Sequence, residues 1–131
     1  MELRNADIRA AGLSVVAIGI GEPKHAIRVC GKLAPSVACL TDSTVASHQT
    51  YGIRRGGLGQ LISPQVVAAG FRAAQKGFVP EASTGDTTMM PANFLVDREG
   101  VIRWLYYAKH AGDHPNLDEI LAVGRTLTAT P

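Results

Sequence analysis

The sequence predicts an α/β fold in a single domain spanning residues 1–131, and three observations carry this prediction. Residues 13–20 form a β-branched and nearly all-apolar segment, which is typical of a central strand covered on both faces in a parallel sheet. Helix and strand patterns alternate between residues 2 and 51. The segment from Ala92 to Tyr107 has the pattern of a β-hairpin, and a helical pattern follows it.

The first half of the chain predicts the order α-β-α-β-α. Gly12, Pro35 and Gly52 each follow a helical pattern, and glycine or proline commonly ends a helix. Asp42 or Ser43 is the expected N-terminal cap of the third helix. The predicted helices cover residues 2–11, 24–33 and 42–51, and the predicted strands cover residues 13–20 and 36–40.

The second half adds a helix, a hairpin and a last helix. Ser63 followed by Pro64 is a helix-start signal, and the helix is predicted to reach about Lys76. Residues 78–90 lack any period and predict a long loop. Asn116 with Glu119 three residues later matches a capping box. The predicted later elements are a helix at 64–76, hairpin strands at 92–96 and 101–107, and a helix from 116 to about 126.

Composition and charge exclude several classes of protein. Hydrophobic residues make up 46% of the chain and the formal net charge is only +2, so a packed core is expected and nucleic acid is not an implied partner. The longest apolar run falls well short of the roughly 20 residues that a membrane helix needs. The opening residues are polar and lack a signal-peptide pattern, so we expect a cytoplasmic, reducing location.

Three segments resemble one known family. They are Val15–Gly19, the run from Val37 through Asp42 to Ile53, and Pro91–Arg103 with its acidic turn between two strands. Together they are similar to the thioredoxin-like superfamily, in its alkyl hydroperoxide reductase/thiol-specific antioxidant (AhpC/TSA, peroxiredoxin-like) branch, over roughly residues 2–124. The resemblance implies a central mixed sheet flanked by helices, and a thiol-dependent antioxidant oxidoreductase that reduces peroxides, uses a thiol reductant and needs no cofactor.

The chain departs from that family at the reactive cysteine. Family members begin with an additional strand and a loop that carries the nucleophile at a helix N-terminus, and these residues do not match that segment. The resemblance therefore implies an N-terminally truncated domain. The alternative function is a catalytically inactive module that acts through self-association or partner binding.

The additional strand of the family would lie between the strand at Val15 and the strand at Phe94. Its absence would leave unpaired edges in the middle of the sheet. We expect one of three solutions: residues upstream of this sequence supply the strand, a second chain supplies it in a homodimer, or the two flanking strands close on each other.

Cys30 and Cys39 are the candidate catalytic residues. One interpretation is a redox pair that opens and closes as a disulfide, which requires Cα atoms within about 7 Å. The other is two small apolar residues buried separately on a helix face and a core strand. The second is favoured, because Cys30 shares a face with Ile27 and Cys39 alternates with apolar neighbours.

Pro91 is a further candidate site residue. A proline before this strand is similar to the cis-proline that faces the disulfide in thioredoxin relatives, and we expect the Met90–Pro91 bond to be cis. The alternative is an ordinary trans proline at the start of a strand. The histidines show no metal-site spacing with the cysteines, so no metal is expected; they are His25, His48, His110 and His114.

Overall fold

The computed structural model describes residues 2–58, 62–77 and 88–129. Its element order agrees with the order that the sequence predicts, while most of the predicted loop at 78–90 lies outside the described residues. A 3₁₀ turn at Glu2–Arg4 leads into α1 (Asn5–Ala10), β1 (Val16–Gly19), α2 (Pro23–Leu33), β2 (Ala38–Thr41), α3 (Ala46–Thr50), α4 (Pro64–Gln75), β3 (Ala92–Val96), β4 (Ile102–Tyr107) and α5 (Leu117–Ala129).

The described strands form two separate two-stranded sheets. β1 pairs with β2 in parallel, and β3 pairs with β4 in an antiparallel hairpin. No pairing joins β1 to β3 in the described ranges, so the expectation that these two strands close on each other is wrong. Each of them therefore has one edge without a strand partner in the part of the chain that the structure describes.

The prediction that β1 is covered on both faces is also wrong. Val16 and Ile18 are 54% and 45% exposed, and their register neighbour Leu40 is 56% exposed. The reason is that α2 packs against β2, and its disulfide fixes it to the face that carries Cys39. The face that carries Ile18 and Leu40 stays open to solvent.

Local capping explains where the helices begin. The Ser63 hydroxyl accepts a hydrogen bond from the Val66 N–H at 3.2 Å, which confirms the predicted start of α4. At α5 the Asn116 side chain accepts from the Asp118 N–H at 2.9 Å. The reciprocal half of the capping box does not form, because the Glu119 carboxylate accepts a hydrogen bond from the Trp104 indole at 3.1 Å.

The hairpin carries aromatic side chains on both of its faces. Trp104 and Tyr106 stack with ring centroids 6.2 Å apart, as their alternation on β4 predicts. On the other face Tyr107 meets Phe94 edge-on, and its hydroxyl donates to the Tyr51 carbonyl at 2.6 Å. This contact ties the end of α3 to the hairpin.

The main buried cluster joins the first and last helices. Ile8, Ala11 and Leu121 are each at most 2% exposed, and Leu13 packs against them. α5 approaches Leu13 at Gly124, where a β-carbon would lie 2.5 Å from a Leu13 methyl group. Glycine at this position therefore lets the helix come close to the segment before β1.

We expect Gly124→Ala to destabilise the fold by about 1–3 kcal/mol, because the added methyl group overpacks the contact with Leu13. Gly70→Ala is the matched control in α4, since no atom lies within 4 Å of its added β-carbon. That substitution is expected to stabilise by about 0.5–1 kcal/mol through helix propensity. Urea unfolding followed by circular dichroism measures both, and equal effects of the two substitutions would contradict the packing argument.

Candidate redox site

Cys30 and Cys39 are bonded to each other. Cys30 lies in the last turns of α2 and Cys39 lies within β2, and the disulfide joins them with their Cα atoms 6.5 Å apart. The favoured interpretation of two separately buried residues is therefore wrong. The other interpretation, that this pair opens and closes, stays a prediction.

The short connection between α2 and β2 explains why the two cysteines meet. The Ala34 N–H donates to the Cys30 carbonyl at 2.8 Å and ends the helix one residue before Pro35. The chain then turns back, because the Val37 N–H donates to the Ala34 carbonyl at 3.0 Å. A disulfide with a sequence separation of 9 residues stabilises a fold by roughly 2–3 kcal/mol in the chain-entropy account.

The disulfide is half-buried and contains every cysteine of the chain. Both Cys30 and Cys39 are partly accessible to solvent, and no other cysteine is present. In β2 the register partner of Cys39 is Ala17 of β1. Any thiol chemistry that these residues perform must therefore pass through this one bond.

Pro91 does not have the expected conformation. The described part of the chain contains no cis peptide bond, so the prediction of a cis Met90–Pro91 bond is wrong. The backbone on both sides of this trans bond is hydrogen-bonded at the start of β3: the Met90 N–H donates to the Arg54 carbonyl at 3.1 Å, and the Ala108 N–H donates to the Pro91 carbonyl at 3.0 Å. A proline is well tolerated there, because a strand start does not require its missing N–H.

A cleft of about 890 Å³ lies between β1 and β3. Pro91 lines this cleft, whereas neither cysteine does. Two of the three predicted site residues, Cys30 and Cys39, are therefore bonded to each other. The third, Pro91, lies in a cleft that neither cysteine lines. Ser47 and His48 of α3 also line the cleft.

Asp42 organises a polar cluster that the sequence indicated only as a helix cap. One carboxylate oxygen accepts from the Thr44 N–H and hydroxyl at 2.9 and 2.7 Å, and the other accepts from the Ser47 N–H and hydroxyl, both at 2.7 Å. The Ser47 hydroxyl also lies 3.3 Å from the His48 Nδ1. The turn around Asp42 occupies residues 42–45, with Val45 in a left-handed conformation, and this delays α3 to Ala46.

Hydrogen bonding dominates the electrostatics of this cluster. The Thr44 hydroxyl and then the Ser47 donors hold the pKa of Asp42 well below its ordinary value, since each of them favours the ionised carboxylate.

Among the described residues, no group of three or more His, Cys, Asp or Glu side chains could hold a metal ion.

The sequence of this chain matches a known protein family, and that family indicates the chemistry of the chain. Residues 2–110 match the family described as AhpC/TSA antioxidant enzyme. The chain belongs to the AhpC/TSA family. This match covers most of the chain and, with the observed α/β elements, confirms the thioredoxin-like fold class. A comparison with curated proteins gives no match.

Membership of the AhpC/TSA family indicates thiol-dependent oxidoreductase chemistry. In this AhpC/TSA chain the disulfide is formed by a cysteine in the last turns of a helix and a cysteine in a strand. No helix in the described ranges is both long and apolar enough to cross a membrane.

We expect acid to weaken the cluster around Asp42. Because the folded pKa is depressed, ionised Asp42 stabilises the fold above its unfolded pKa of about 3.9, and this contribution is lost as the pH falls toward the folded pKa. At pH 6 the wild-type protein should therefore unfold at a higher urea concentration than Asp42→Asn. The difference between their two urea midpoints should be smaller at pH 3.

Glu22→Gln provides a matched control, because the Glu22 carboxylate is exposed and its ion pair with Lys24 is exposed as well. Its midpoint should stay close to that of the wild type at both pH values. A gap between wild type and Asp42→Asn that is the same at pH 6 and pH 3 would contradict the assignment of the stabilisation to ionised Asp42.

Proposed function

We propose that this chain is a thiol-dependent oxidoreductase whose redox couple is the Cys30–Cys39 disulfide. The single observation that carries the proposal is that the chain belongs to a family of thiol chemistry and that its two cysteines are bonded to each other.

The reductive half consumes a small dithiol. A thiolate of the reductant attacks one sulfur of the disulfide, forms a mixed disulfide with it and releases the other sulfur as a thiolate. The second thiol of the reductant then displaces the first cysteine, so the reductant leaves as a disulfide and Cys30 and Cys39 end as thiols. Two electrons pass to the protein, and the two protons that the dithiol gives up protonate the released cysteine thiolates.

The oxidative half consumes a peroxide. A cysteine thiolate attacks one peroxide oxygen, the O–O bond breaks, and the alcohol or water leaves with a proton. The cysteine becomes a sulfenic acid. The second thiol then displaces water from it, which restores the disulfide and closes the cycle with one peroxide reduced per dithiol oxidised.

Position on the fold distinguishes the two sulfurs. Cys30 is near the C-terminal end of α2, where the helix dipole is negative and disfavours an anionic thiolate. Cys39 is in the middle of a strand and experiences no such dipole. We therefore assign the attack on peroxide to Cys39 and the resolving role to Cys30.

Single cysteine variants test this assignment. In Cys30→Ser the remaining Cys39 should form sulfenic acid with hydrogen peroxide, and in Cys39→Ser the remaining Cys30 should react about two- to fivefold more slowly, the ratio that a dipole effect of about 0.3–1 kcal/mol gives. Trapping of the sulfenic acid followed by intact mass measurement gives both rates. The wild type, reduced and then treated with one equivalent of peroxide, should lose two hydrogens and regain them with a dithiol.

The same variants in urea are the control, because unfolding removes the dipole and the two rates should become equal. Faster reaction at Cys30 in the folded protein would contradict the assigned roles. A reduced wild-type chain whose mass does not change with peroxide would contradict the proposed function as a whole.

A further inference from the structure

On the sheet, the neighbour of the disulfide is a small residue. Cys39 of β2 pairs with Ala17 of β1, and directly paired residues of neighbouring strands point to the same face. Because such strands lie about 5 Å apart, the Ala17 methyl group stands next to the Cys39 side chain. Ala17 is exposed. The strand beside Cys39 therefore presents only a methyl group to a molecule that approaches the sulfur from this side.

Gly19 leaves further room on the same face of β1. Successive residues of a strand point to opposite faces, so Gly19 shares the face of Ala17 and Cys39. Apart from its chain neighbours, the only described atom within 4 Å of a β-carbon added at Gly19 is the Leu40 carbonyl oxygen, at 4.0 Å. The helix on this face, α2, packs against β2. The space above Gly19 is therefore open in the described part of the chain.

On the helix, the disulfide has larger neighbours. Ile27 and Leu33 stand three residues before and three residues after Cys30, which places them beside it on the surface of α2. Both side chains project into solvent, with 75% and 51% of their surface exposed. A molecule that approaches from the helix side meets these two branched side chains, whereas one that approaches over β1 meets a methyl group and a glycine.

We propose that the peroxide reaches Cys39 over the face of β1, and that Ala17 limits the size of the alkyl group that enters. This inference rests on the proposed function, in which Cys39 attacks the peroxide. In that step a bond forms between sulfur and the terminal peroxide oxygen and the O–O bond breaks. Cys39 becomes a sulfenic acid, and the departing alkoxide takes the proton that the thiol gave up. The alkyl group lies beyond the leaving oxygen, so it occupies the space over Ala17 and Gly19.

The proposed route runs over a face of the sheet. Ala17 also lines the cleft between β1 and β3, but Gly19 and the two cysteines do not. The route therefore does not require the edge of β1 toward the cleft to be unpaired. Ala17 takes no part in the bond changes, and its role is to determine which peroxides fit.

Ala17→Leu in a Cys30→Ser background tests the route, and Ala38→Leu in the same background is the matched control. Ala38 is an exposed alanine of the same two-stranded sheet, and it lies on the opposite face because it directly precedes Cys39. Sulfenic acid formation is timed by trapping and intact mass, with hydrogen peroxide and with cumene hydroperoxide. We expect Ala17→Leu to slow the reaction with cumene hydroperoxide by about tenfold or more and with hydrogen peroxide by at most about twofold. Ala38→Leu should leave both rates unchanged.

Thiol alkylation separates a failure of this inference from a failure of the proposed function. N-ethylmaleimide and N-(1-pyrenyl)maleimide react with Cys39 by the same chemistry and without peroxide, but they differ in size. Ala17→Leu should slow the pyrenyl reagent by about tenfold and the ethyl reagent by at most about twofold. In urea, where the sheet is absent, the ratio of the two rates should be the same in every variant. A chain that does not react with peroxide would contradict the proposed function, and the maleimide ratio would still decide the route.

Circular dichroism checks that the variants fold. Ala17→Val is a smaller change to a residue type that strands favour, so it replaces Ala17→Leu if that variant does not fold, and its effect should be intermediate. Equal slowing of the small and the large reagent would overturn the proposal, because a limit on entry acts on size. An unchanged rate for the large reagent in the folded Ala17 variants would overturn it as well, and so would an equal effect of Ala38→Leu.

Discussion

The covalent bond between Cys30 and Cys39 is the constraint on which the first half of the fold depends. An isolated two-stranded sheet is marginal in water, and β1–β2 has one face open to solvent. The disulfide fixes α2 against β2 on the face that carries Cys39. The same disulfide is the redox couple of the proposed function. Its reduction in a catalytic cycle would therefore loosen the packing of α2 on β2, the two elements that carry the thiols.

The second constraint is that the described strands form two separate two-stranded sheets instead of one continuous sheet. The hairpin β3–β4 is held by aromatic contacts and by the Tyr107 hydrogen bond to α3, while β1–β2 is held by the disulfide and by the cluster around Leu13. Each half therefore has its own packing, and no strand pairing joins β1 to β3 within residues 2–58, 62–77 and 88–129.

Local patterns predicted the element order because capping and periodicity act over a few residues. Ser63 with Pro64 identified the start of α4, and the alternation of residues 92–107 identified the hairpin. The disulfide could not be derived in this way, since the separation of two Cα atoms depends on how a helix end packs on a strand. The isomer of Pro91 likewise does not follow from the neighbouring residues, because an X–Pro bond prefers trans by only about 0.5–1 kcal/mol and the resemblance alone favours cis.

The reduction potential of the Cys30–Cys39 disulfide tests the central claim most directly. The protein is equilibrated with glutathione or dithiothreitol buffers of known potential, and the reduced fraction is measured by thiol alkylation and intact mass. A redox couple is expected above about −300 mV, in the range where thiol–disulfide oxidoreductases operate. A potential clearly below about −300 mV, typical of purely structural disulfides, would contradict the account.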